Sequence, residues 1–314
     1  MRESPMNRLA GVWKLVREAG SEWMDDNATR LGAAVAFYSI LSLTPLLLLA
    51  VAVAGMVFGE EAARGELVNQ MRDLIGASGA EVVQTTLANA KEPGAGVLAT
   101  VIGIVTLLVG ASGVFGELHD AMNVVWNVRV KPGRGFWGIV RDKFLSFGMV
   151  LSIGFLLLVS LVASTALTAF GGYLNGLVPG LPVLMRVANF VISLLVVTGL
   201  FALLFRYLPD VRAPWKFFWF GAVVTAFLFT LGKFLIGLYL AQAAVATPFG
   251  AAGSLVALVV WVYYSALIFF FGAELTQVHA RQAGIEVPTT ANAERIPEPA
   301  AKPDPVSSAG QKPR

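Results

Sequence analysis

Cysteine is absent from the 314 residues, which excludes disulfides, thiolate catalysis and cysteine-held metal sites. Histidine is nearly absent: only His119 and His279 occur, without HExxH or any other paired metal spacing. A phosphate-cradling loop is lacking too, because Gly110-Ala-Ser-Gly113 has neither the Lys nor the Ser/Thr of a P-loop. Charged residues make up 14% of the chain, against about 25% in soluble domains. These shortages leave no catalytic residue, no metal site and no cofactor site to nominate, and no enzyme activity is expected.

What the chain has is apolar surface. Hydrophobic residues make up 56% of it, and the mean hydropathy is +0.71. No soluble fold of this length hides that much, but a bilayer does. The net charge of +3 does not call for nucleic acid as a partner, since membrane proteins are often basic for topological reasons. The partners implied are membrane lipids.

A helix needs about 20 apolar residues to cross the hydrocarbon core. Six runs qualify, near Leu31–Phe58, Val97–Phe115, Phe144–Phe170, Val183–Phe205, Phe217–Leu240 and Ala251–Ala273. Their lengths fit helices rather than the short alternating strands of a membrane barrel. The predicted fold is therefore all-α, a polytopic bundle of about six transmembrane helices over residues 30–280. Lys and Arg orient it. Residues 1–30, the connections after the second and fourth spans, and the C-terminal tail together hold eighteen of the 23. The alternate connections hold four (Arg64, Arg72, Lys91 and Arg186), and Lys233 lies inside the fifth span. This asymmetry predicts a membrane protein with both termini in the cytoplasm. A cleaved signal peptide is not expected, because the first apolar run begins near residue 31 and is long enough to span.

Three segments flank the spans. Residues 1–29 form an amphipathic segment in which Leu9, Val12, Trp13, Val16 and Trp23 recur at helical spacing, with Arg8, Lys14 and Arg17 off that face. It reads either as an interfacial helix on an anionic leaflet or as a cap packed on the bundle. The external connection of about 60–92 shows two apolar stripes, Leu67, Val68, Met71, Leu74 and Ile75, then Val82, Val83, Leu87 and Ala90. Gly76, Ser78 and Gly79 separate them, which predicts two short helices joined by a turn and able to cap the bundle or meet an envelope partner. Residues 281–314 are predicted to be a disordered cytoplasmic tail, with six prolines from residue 286 onward and almost no large apolar side chain.

Charge at membrane depth costs about 2.5–3.5 kcal/mol at a helix centre, so each such residue needs a reason. Lys233 lies 17 residues past Lys216, roughly 25 Å along the helix, in the outer third. It either snorkels outward or serves a ligand. Glu274 falls at the inner end of the sixth span, too far from Lys233 for an ion pair. Glu117, His119, Asp120, Arg206, Asp210 and Arg30 lie at a similar depth to Glu274. They predict either one polar cluster at the cytoplasmic end or a solvated rim of helix ends. Pro45 favours a kink in the first span, with Ser39, Ser42 and Thr44 nearby. Gly103, Gly110, Gly113 and Gly116 in the second span and Ser160, Ser164 and Thr168 in the third read as helix-packing residues. Prolines bracket two turns, Pro179 with Pro182 and Pro209 with Pro214.

Several stretches resemble the YihY/virulence factor BrkB family. They include RLGAAVAFYSILSLTP from Arg30 to Pro45 and the region from Gly110 through Asn123 to Trp126. The turn from Tyr207 to Asp210, Trp215, Gly221-Ala222, Lys233 and Tyr239 are similar too, as are Gly250 through Gly253 to Ser254, Trp261 and Gly272-Ala-Glu274. Where relatives often read Tyr-Gly, this chain has Phe249-Gly250. The resemblance covers about residues 20–280. It implies a bacterial inner-membrane protein of about six spans, from a family often labelled ribonuclease BN and linked in some members to serum resistance and glycolipid export. Three functions remain: a transporter or flippase-like protein for a lipid or other amphiphile, a membrane scaffold acting through 60–92, and a ribonuclease. The absence of a metal-ligand set argues against the last.

Overall fold

The computed structural model describes residues 5–89, 113–131, 181–243 and 252–296. The spans expected near Phe144–Phe170 and, up to residue 112, near Val97–Phe115 lie outside these residues. So do Gly103, Gly110, Ser160, Ser164, Thr168, Pro179 and Gly250.

Apolar composition makes the long helices. They are α1 (Pro5–Asp25), α2 (Ala28–Phe58), α3 (Glu60–Asn89), α4 (113–125), α5 (Leu181–Tyr207), α6 (Trp215–Ala243) and α7 (Ala252–Gln282). Among the described residues three stretches are long and apolar enough to cross a membrane: Phe190–Tyr207, Trp215–Leu235 and Leu258–Gln282. Their outward faces carry Phe190, Leu195, Val223, Phe227 and Phe234, all exposed. A water-soluble chain would not leave such a belt uncovered. Tyr207, Trp215 and Trp219 are exposed around the turn between α5 and α6, where amphipathic rings favour the membrane–water boundary. The protein is a helical membrane protein.

Helix breaks occur where the backbone demands special residues. Asn27, at φ 55°, separates α1 from α2, and Gly59, at φ 84°, separates α2 from α3. Both values lie in the left-handed region that Asn and Gly tolerate. The helix α2 continues unbroken through Pro45, and the Ser42 hydroxyl donates to the Ser39 carbonyl at 3.0 Å.

A close helix crossing lies between α6 and α7. Gly221 faces Thr276 and Gly272 faces Thr225, so closely that a methyl group on either glycine would collide with the threonine hydroxyl opposite. Each threonine turns that hydroxyl back to its own helix, Thr225 to the Gly221 carbonyl at 2.6 Å and Thr276 to the Gly272 carbonyl at 2.7 Å. The polar groups are thereby satisfied inside an apolar interface.

The helical element α3 extends on both sides of Gly76–Gly79, where the sequence predicts a turn. Yet the Arg64 guanidinium donates to the Leu87 carbonyl at 3.0 Å. A straight helix would separate those residues by roughly 34 Å, so the two halves of α3 lie side by side. Val83 and Leu87 are buried with Leu47 and Val51 of α2 and Leu258 and Trp261 of α7.

At the opposite end the chain departs from the sequence expectation. Residues 283–296 are ordered, not a disordered tail. Strand β2 (Ala293–Arg295) pairs antiparallel with β1 (Val128–Val130), Arg129 opposite Glu294. Val211 and Thr289 form a further bridge, and the Arg212 amide donates to the Pro288 carbonyl at 2.9 Å. Composition alone predicts disorder because it does not see the partners: β1 and the α5–α6 turn supply backbone groups that no local sequence reveals. Three basic connections, after α4, α5 and α7, thus meet at one end of the bundle.

A pair of polar centres at the basic end

The first centre gathers on Asp210, in the turn that follows α5. Asn123 on α4 bonds it reciprocally: the Asp210 amide donates to Asn123 Oδ1 at 2.8 Å, and Asn123 Nδ2 donates to Asp210 Oδ2 at 3.2 Å. From the β2 side the Thr290 hydroxyl donates to Asp210 Oδ1 at 2.9 Å and the Thr290 amide to the Asp210 carbonyl at 2.8 Å. His119 Nε2 lies 3.2 Å from Asp210 Oδ2, while its Nδ1 lies 3.3 Å from Asp120. Burial works against the His119 charge, but the hydrogen bonds and charges of Asp120 and Asp210 outweigh it and push its pKa up to about 9. Burial likewise disfavours an ionised Asp210, and the His119 imidazolium, Thr290 and Asn123 override it, bringing Asp210 down to about 2. The pair stays charged across neutral pH and ties α4, α5 and the C-terminal strap together. It is a fixed frame rather than a reactive group.

The second centre lies between α1 and α7. Glu274 is 1% exposed, and neither carboxyl oxygen has a hydrogen bond of standard geometry. The Asp26 carboxyl lies against it, with Glu22 and Arg281 next nearest. Arg281 is already engaged, at 2.6 Å to Glu18 and 2.7 Å to Glu22, and Gln282 also donates to Glu18 at 2.7 Å. Those bonds hold the Glu18 carboxyl below its ordinary range. Burial, more than any neighbour, pushes Asp26 up.

Of the residues that depth along the spans groups as one cluster or a solvated rim, His119, Asp120 and Asp210 meet in the first centre and Glu274 lies in the second. Arg206 joins neither: its Nη1 donates to the Ala213 carbonyl at 2.8 Å, and the guanidinium stacks on Trp215 and Phe218. Arg30 is exposed and Glu117 half-buried, and neither has an ion pair among the described residues. Lys233 is half-buried on α6 without an ion pair among the described residues, far from Glu274 in the fold. Of the motif residues, Asn123 is the bridge to Asp210. Trp126 is buried against Phe218 with its ring N–H unbonded, Trp261 packs on Phe229, and Gly253 lies in the first turn of α7.

Sequence reasoning missed Glu18, Glu22, Asp26, Arg281 and Thr290. A signal existed for the first three. They recur at i, i+4 and i+8, a carboxylate stripe along α1, but the apolar face of the same helix drew the reading. That apolar face is only partly used. Leu15 and Ala19 pack on Leu275 and Val278, whereas Val12, Trp13 and Val16 are exposed. The Trp23 ring N–H donates to the Leu267 carbonyl at 3.2 Å. An open apolar groove of about 310 Å³ runs between α1 and α7, lined by Gly20, Trp23, Tyr264, Leu267, Ile268 and Phe271. Among the described residues no group of three His, Asp or Glu side chains converges to hold a metal ion.

Comparison with known proteins identifies the family. Residues 19–297 match the family model described as virulence factor BrkB. A UPF0761 membrane protein of Verminephrobacter eiseniae is 28% identical over 84% of this chain and 62% of its own length. One from Pseudomonas aeruginosa is 32% identical over 56% of this chain and 41% of its own, and one from Photobacterium profundum 30% identical over 80% and 76%. The chain thus spans about half the length of most of the curated relatives it matches. No solved structure matches. With nearly all of its described residues inside the matched region, the chain belongs to the virulence factor BrkB family of membrane proteins.

Proposed function

We propose that the protein resides in a bacterial inner membrane, termini in the cytoplasm, and moves a lipid or other amphiphile toward the outer leaflet. The observation that carries this reading is the groove between α1 and α7. It is open, its walls are apolar, and the buried carboxyl of Glu274 lies one turn from Phe271 in its lining. An apolar wall beside a polar site suits a molecule with both characters. The basic residues Lys14, Arg17 and Arg30 are exposed on the two helices at that end and suit an anionic head group. Lys233, roughly 25 Å farther along α6, offers a second cation at the other end.

A partner-binding role through residues 60–92 has less support, because Val83 and Leu87, the apolar residues that would meet a partner, pack inside the bundle. The test is reconstitution into liposomes with a labelled anionic lipid. The expected result is leaflet exchange above that of empty vesicles, reduced in Lys233→Ala. No exchange, or full exchange in that variant, counts against the scheme.

A further inference from the structure

The unpaired atoms around Glu274 have one chemistry in common. They are Glu274 Oε1, Glu274 Oε2 and, three residues on along the same helix, Gln277 Oε1. All three are buried acceptors. What the site lacks is hydrogen, and an unsatisfied buried acceptor costs about 1–3 kcal/mol, more when charged. The nearby charges deepen the shortage. On α1, Glu18, Glu22 and Asp26 line the side toward α7, with Asp25 beside them. On α7, Arg281 is the cation within reach, and Glu18 and Glu22 already take it up. His279 packs between Phe217 and Phe220, beside Lys216 of α6. Arg206 of α5 is held at Ala213, and Arg30 of α2 faces solvent. Four carboxyl groups therefore share one guanidinium, with the Lys14 ammonium acting on Glu18 at the far end of the row.

We propose that Asp26 and Glu274 form a proton-binding site, in which one proton held between the two carboxyl groups fastens the C-terminal end of α1 to α7. A proton fits better than a metal ion, because no three carboxylates or imidazoles converge there among the described residues, whereas a divalent cation takes six or more oxygens. A protonated carboxyl supplies the missing donor and removes one of two like charges facing each other in a dry site. Burial raises the Asp26 carboxyl, so the folded protein holds this proton more tightly than the unfolded chain does. The fastening is complete at acid pH and is lost as pH rises through the raised range. The inference does not depend on what the protein transports.

The absence of cysteine makes the test clean. In the full-length protein in nanodiscs, infrared spectra at neutral pH should contain the carbonyl stretch of a protonated carboxyl group, shifted in D₂O and lost in Glu274→Gln. Asp26→Asn, at a half-exposed position, gives a second variant in which the band should also be lost or displaced. Spin labels at Ala10→Cys and Ala283→Cys report the α1–α7 distance. It should stay narrow at about pH 6 and broaden at about pH 11 in the otherwise wild-type chain, and change less between the two in Glu274→Gln. No such band at neutral pH, or the same band in both variants, overturns the proposal. So does a distance that ignores pH, or a band abolished when sodium replaces potassium, which would make the occupant a metal cation.

Discussion

The two ends of the bundle are built differently. At the basic end the core is deep, from Leu31 and Val35 through Phe201, Phe205, Phe218 and Phe270 to Val287, and two polar centres are buried within or beside it. Among the described residues the core at the other end is smaller, Leu47, Val51, Val83, Leu87, Leu258 and Trp261, and the acidic residues of α3 (Glu60, Glu61, Glu66 and Glu81) are exposed. There apolar packing is joined by the bond from Arg64 to the Leu87 carbonyl. The first uses directional bonds among chain segments far apart in sequence, which define one arrangement more sharply than apolar contact does. Burying polar groups is costly, so their concentration at one end marks where geometry matters most.

This contrast can be broken from either side. The largest effect is expected from Gly272→Val, which drives a branched side chain into Thr225 and Phe205. It should cost at least about 3 kcal/mol and appear as a large drop in Tm or loss of monodisperse protein. Gly65→Ala in α3, where nothing lies within 4 Å, should instead stabilise by about 0.5 kcal/mol. Next, Asp210→Ala strands His119, Asn123 and Thr290 together. A loss of about 2 kcal/mol is expected, with faster proteolysis between residues 283 and 296.

Smaller still is the pH effect of the same centre. The folded-state pKa of His119 is raised from 6.5 to about 9, so its contribution is complete below about 6.5 and fades as pH rises toward 9. Asp210, lowered from 3.8 to about 2, contributes above 3.8 and fades as pH falls toward 2. Melting curves of wild type should fall more steeply over the alkaline window than those of His119→Gln. The smallest change is expected for Arg129→Ala. Its 2.8 Å bond to Glu294 joins two well-exposed side chains, worth no more than about 0.5 kcal/mol.

Much of the fold was legible from apolar runs alone. The fourth and fifth spans, expected at Val183–Phe205 and Phe217–Leu240, lie within α5 and α6. The sixth apolar run was expected at about Ala251–Ala273, with Glu274 near its inner end. Yet α7 continues to Gln282, since Glu18 and Glu22 engage Arg281 and Leu15 packs on the same turns. Depth along a span drew attention to Glu274 and Asp210, whose surroundings the structure describes. It carries no information on the direction around the bundle, so it does not separate the centre at Asn123 from the one at Asp26. The strap at 283–296 was illegible for a related reason. Its bonds go to Asn127, Lys131, Asp210 and Arg212, all remote in the chain.

That strap has a consequence for biogenesis. Ala293–Arg295 follows every described helix in chain order, so while the ribosome is still making α7 the backbone of Val128–Val130 has no strand beside it. The helices can enter lipid one after another as they emerge, but the frame around Asp210 can close only after the last of them. Until then a short unpaired edge and a half-satisfied carboxylate wait at the surface. A nascent chain therefore lacks this closure until the segment ending at Ile296 has left the ribosome.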